Sequence, residues 1–115
     1  MASHTARTAL AEEIARVVRE VPGVAFLRPR LTGLLKPAVV PGPVGSGSAT
    51  TAGVRLREDE AAGTWHVEVR LVALGGDRVL DVARAARRTV EERLDALLPG
   101  GAARAHVTVT VTGRV

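Results

Sequence analysis

The chain has no cysteine and no tyrosine, and Phe26 and Trp65 are its only aromatic residues. Without thiols there are no disulfides and no thiolate metal sites, which fits a reducing compartment. With two aromatics, the core has to be built from Val, Leu and Ala, and few rings are left over for stacking on nucleobases. Lys36 is the only lysine, so almost nothing titrates between histidine and arginine. The sequence pI of about 11.2 therefore reflects a broad plateau at net charge +4 rather than a strongly basic protein. Long apolar runs are missing too. The richest stretch, 31–44, is interrupted by Pro37, Pro41 and Pro43, and none reaches the roughly 18 residues of a membrane span. Glu12 and Glu13 interrupt the N-terminal region where a signal peptide would need an apolar segment. A cytoplasmic chain with no direct membrane insertion is expected.

What the 115 residues do contain is patterned. One domain spanning 1–115 is the natural reading of this length. Leu10, Ile14, Val17, Val18 and Val21 recur at helical spacing, predicting a helix over 8–20 that Pro22-Gly23 stops. Residues 24–27 fit a short strand. Residues 29–52 hold a Pro/Gly-rich loop, in which Leu31, Leu34 and Leu35 suggest one packed helical turn and 41–52 is expected to be mobile. Alternation then places Val54 and Leu56 on one face of a strand with Arg55 and Arg57 on the other. A turn over 59–63 leads into a strand over 64–73, with Trp65, Val67, Val69 and Leu71 inward. Asp77 reads as the N-cap of a second helix. Its stripe of Val79, Val82, Ala83, Ala86, Val90, Leu94 and Leu97 ends at Pro99-Gly100-Gly101, and the alternating run 106–112 (HVTVTVT) closes the chain.

A helix linking the strand at 64–73 to the strand at 106–112 makes those two strands parallel. The expected fold class is α+β: a two-layer α/β sandwich with two helices on one face of a mixed three- or four-stranded sheet, in the order α-(β)-β-β-α-β. The other sheet face is then open, and it forms the candidate interaction surface: Arg55, Arg57, His66, Glu68, Arg70, His106, Thr108, Thr110 and Thr112. The uncharged Val-Thr strand is a hazard if it lies at a sheet edge, because its unpaired backbone groups invite another chain.

Other constellations have simpler explanations. His66, His106 and Glu68 could meet on the open face and hold a metal, but no pair has ligand spacing within one element, and two surface imidazoles account for them. Glu58, Asp59 and Glu60 read as a solvated hairpin tip. Ser46 and Ser48 belong to no nucleophile elbow, and there is no P-loop lysine. Arg84, Arg87 and Arg88 lie among Asp81, Glu91, Glu92 and Asp95, a neutralised helix surface. No catalytic residue, cofactor site or metal site is assigned.

Several of these features recur together in one known family. Ile14-Ala15 with Val18, residues 21–24 (VPGV), Gly53-Val54 at the start of a strand and residues 67–72 (VEVRLV) stand in a fixed order. Val79, Val82-Ala83, Val90 and residues 107–113 (VTVTVTG) follow them. From about Leu10 to Gly113 the chain resembles the alkaline shock protein 23 (general stress protein 24) family, small envelope-stress proteins of Gram-positive bacteria. It departs from the family pattern in its short lead into the first helix, its Pro-rich loop over 29–52 and its Pro99-Gly100-Gly101 helix end. The family has no established catalytic residues, so none carries over. The resemblance implies a non-enzymatic envelope-stress protein that self-associates with itself or related chains and is held near the membrane by an integral membrane partner. The second reading is a small basic nucleic-acid-binding module that uses Arg55, Arg57 and Arg70 on the open face.

Overall fold

The computed structural model describes residues 4–28, 46–51, 53–59, 61–76, 78–98 and 100–115. The elements run α1 (His4–Arg19), β1 (Val24–Leu27), β2 (Ser46–Thr51), β3 (Val54–Asp59), β4 (Thr64–Ala73), α2 (Val79–Leu97), a 3-10 turn (Gly101–Arg104) and β5 (Ala105–Arg114). The α+β class, the mixed sheet and the order of helices and strands are those the periodicities predict.

β4 is the centre of a five-stranded sheet. β5 pairs along one side of it in parallel, with Trp65 opposite Ala105 and Leu71 opposite Val111. The other side is shared end to end by two antiparallel strands: β3 covers 64–69 and β1 covers 71–73. The two meet at Arg70. Its N–H donates to the Gly53 carbonyl at 3.0 Å, and its carbonyl accepts from the Arg28 N–H at 2.9 Å. β2 lies outside β3 and pairs with it over six residues, from Ser46 opposite Asp59 to Thr51 opposite Val54.

β2 is the strand beyond the three or four expected, and it lies within the loop predicted over 29–52, in the part 41–52 expected to be mobile. The run 46–51 (SGSATT) has no apolar alternation, so its side chains give no strand signal. It is held by a backbone ladder to β3, which any non-proline sequence can make. The helical turn expected at Leu31, Leu34 and Leu35 lies outside the described residues.

The inward sets behave as alternation requires. Val54, Leu56, Val67, Val69 and Leu71 are fully buried, as are Ile14 and Val18 of α1 and Val90 and Leu94 of α2. Both helices therefore pack on one sheet face, around a single core that also takes in Trp65, Val82 and Ala86. α1 starts four residues earlier than its apolar stripe suggests, and an ion pair between Arg7 and Glu58 ties this added turn to β3 at 3.3 Å. Asp77, expected as the N-cap of α2, lies outside the described residues. Arg78 holds the N-cap position in an extended conformation, with no side-chain cap hydrogen bond. Among the described residues no helix is long and apolar enough to cross a membrane.

Candidate functional site

The open sheet face gathers most of the residues that alternation assigned to it, in rows across the strands. The first row is Arg57, His66 and His106, consecutive partners on β3, β4 and β5. The two imidazoles stack, with ring centroids 5.1 Å apart and planes inclined by 21°. The second row is Arg55, Glu68 and Thr108, and the third pairs Arg70 with Thr110. The first two rows border a shallow depression of about 240 Å³ lined by Arg55, Arg57, His66, Glu68, His106 and Thr108.

Thr112 does not continue the pattern. The β4–β5 register slips between Leu71 and Val72, so Val111 faces Leu71 while Gly113 faces Val72. Thr112 occupies the resulting bulge and its hydroxyl donates to the Leu71 carbonyl at 3.3 Å. Beyond it the pairing resumes with Ala73 opposite Arg114. A bulge carries no composition signal here, because Val-Thr alternation continues straight through it. Phe26, opposite Val72, adds an exposed ring at the same end of the open face.

In the helical layer Arg16 pairs with Glu13 at 2.6 Å and with Glu20 at 3.1 Å, Arg93 with Glu13 at 3.2 Å, and Arg87 with Glu91 at 3.2 Å, while Arg19, Arg84 and Arg88 take part in none of the ion pairs among the described residues. The hydrogen bond from Arg16 holds the Glu13 carboxyl below the usual carboxylate range, with the charges of Arg16 and Arg93 adding to it and desolvation opposing it. On the open face, none of the ion pairs among the described residues involves Arg55, Arg57 or Arg70. The Nε of Arg70 is buried without a hydrogen-bond partner among the described residues. The open face thus presents Arg55, Arg57 and Arg70 against the single carboxylate of Glu68 among the described residues.

The metal possibility weighed for His66, His106 and Glu68 gains no support from this arrangement. Among the described residues no group of three or more His, Asp and Glu is placed to hold an ion. Arg55 and Arg57 border the same depression and would repel a cation.

A second concavity was not anticipated. A groove of about 930 Å³ opens where the start of α1, the end of α2 and the β3–β4 hairpin converge. Leu10, Trp65, Leu97 and Leu98 form its apolar lining, with Glu58 and Arg104 on its walls. Glu58 corrects the solvated-tip reading of the acidic run: it is 7 % exposed and bonded to Arg7. The signal was available, since 54, 56 and 58 share one parity and all point inward. Asp59 does act as turn chemistry, its Oδ1 accepting from the Ala62 N–H at 3.1 Å. Leu97 shows why the groove forms: it closes the α2 stripe yet is 47 % exposed, because the helix outruns the sheet beneath it.

No family model matches this chain, and neither a curated protein nor a solved structure does.

Proposed function

We propose that this chain is a non-enzymatic interaction module that assembles with a second copy of itself through the outer edge of β5. The observation carrying this reading is the character of that edge. β5 is ten residues long and among the described residues pairs only with β4, whereas an unpartnered edge strand is usually short, charged or broken by proline. Between His106 and Arg114 it has no charged residue at all. Val109 and Val111 point toward the helical layer yet remain only half-buried, so the helices stop short of covering the strand. A second β5 laid alongside satisfies the free backbone groups and covers those valines. Self-association of this kind needs no catalytic group, and the face beside the edge is open rather than a cleft that would exclude water.

An envelope-stress role, with recruitment by an integral membrane partner, comes from the resemblance alone and is a further part of the proposal. The nucleic-acid reading ranks second: Arg55, Arg57 and Arg70 take part in no ion pair among the described residues, and the exposed Phe26 lies toward one end of the same face, but one ring is a sparse stacking platform. Sedimentation velocity tests the assembly. Wild-type protein at about 50 μM, a concentration suited to micromolar affinities, is expected to sediment as a dimer or larger species. Thr110→Lys, which places a charge on the edge strand without touching the core, is expected to give monomer. A monomeric wild type, or an oligomer indifferent to T110K, refutes β5-edge assembly.

A further inference from the structure

We infer that the depression around the stacked His66–His106 pair is a binding site for a phosphate-type oxyanion. The site brings together donors from three strands. Arg57 and His66 are cross-strand partners, His66 and His106 are partners on the other side, and Arg55 and Thr108 flank them in the next row. Adjacent strands lie about 4.8 Å apart, so one tetrahedral anion can bridge side chains from neighbouring strands. Two guanidiniums, up to two imidazole N–H groups and a hydroxyl supply hydrogen bonds to several oxygens at once. Arginine's planar fork is suited to such recognition.

The charge balance selects an anion over a metal ion. Both ligand types use imidazole, but Arg55 and Arg57 carry permanent positive charge, and neither takes part in an ion pair among the described residues. Among the described residues Glu68 is the one opposing charge lining the depression, and it stands in the row of Arg55, beside the histidine row. The groups facing the imidazoles are thus Arg55 and Arg57 from β3, Glu68 from β4 and the uncharged Thr108 from β5. The same phosphate chemistry is presented by a small free anion and by a nucleic-acid backbone. This inference is independent of β5-edge assembly, because its residues lie on the sheet face and its readout does not depend on oligomeric state.

The test is heteronuclear NMR of the imidazole resonances of the full chain. Inorganic pyrophosphate and a short oligothymidylate are titrated in parallel, against chloride at matched ionic strength. The expected result is a saturable shift of both His66 and His106 with pyrophosphate and none with chloride. The exposed double variant R55Q/R57Q, which leaves the core intact, is expected to weaken binding by about ten-fold or more. Oligothymidylate binding tighter than pyrophosphate by that margin identifies a nucleic-acid backbone as the source. Equal or weaker binding identifies a free anion. Shifts that fail to saturate, that chloride reproduces, that survive R55Q/R57Q unchanged, or that appear with zinc but not with phosphate overturn the inference.

Discussion

Replacing Gly53 with alanine should damage this fold far more than the loss of two hydrogens suggests. Gly53 ends the two-residue connection between β2 and β3 with φ +93°, a conformation that costs an L-residue about 1–2 kcal/mol. It also stands where β3 and β1 abut along β4. A Cβ there would lie 2.9 Å from the Arg28 backbone nitrogen, 3.0 Å from the Arg70 carbonyl oxygen and 3.0 Å from the Leu27 Cβ. Two of these three atoms are backbone, and they belong to one of the hydrogen bonds closing the junction, so the strain cannot be relieved by rotating a side chain. Loosening the Arg28–Arg70 bond and the neighbouring Arg70–Gly53 bond would add about 0.5–1.5 kcal/mol each. The expected destabilisation by G53A is thus about 2–5 kcal/mol, measured by urea unfolding followed by circular dichroism. Two controls scale the result. At Gly63, φ is +68° but the crowding atom is the far end of the Arg104 side chain, so G63A should cost only the backbone term, about 1–2 kcal/mol. At Gly76 a Cβ meets nothing within 4 Å, so G76A should stay within about 1 kcal/mol of wild type. If G53A unfolds no more easily than G76A, the account of a shared β4 edge closed at Arg70 is wrong.

Two further outcomes concern the charged groups. Removing one partner of the Arg7–Glu58 pair leaves a largely buried charge, so R7M should destabilise by about 3 kcal/mol, while R7M/E58M should recover much of that loss in the same urea assay. The carboxyl of Glu13 is held below its ordinary value in the folded state, by its hydrogen bond from Arg16 first and by charge second. Its stabilising effect is therefore present above the unfolded carboxylate value near about 4.3 and is lost as pH falls through the folded value. Wild type should exceed E13Q in thermal stability near neutral pH, and the gap should close in strong acid. A gap that stays constant down to the lowest pH would contradict this.

How much of this could be read in advance depended on whether the determining interaction involved side chains. β3, β4 and β5 alternate in apolar character, so their inward faces were legible, and with them the row positions of Arg55, Arg57, His66, Glu68, His106 and Thr108. α2 was legible from its stripe for the same reason. β2 was not, because the run 46–51 carries no apolar alternation to mark it as a strand. The bulge at Thr112 was not legible, because it changes register without changing composition. The apolar groove was hidden for a third reason: it depends on how far α2 extends past the sheet, and the sequence records the stripe but not what lies beneath it. The stacking of His66 on His106 needed one more fact than alternation supplies, the in-register parallel pairing of their strands.

The central position of β4 also bears on how the molecule assembles during synthesis. Every strand except β2 binds β4 directly, and β5 emerges after all of them, on the far side of α2. Until it docks, one whole flank of β4 stands bare while the remainder of the domain has already condensed. That parallel pairing is non-local and hence slow, so a crowded polysome gives another molecule's β5 time to arrive first. Exchange of this strand between chains would produce an intertwined pair with native contacts throughout, reached through folding rather than by collision of finished domains.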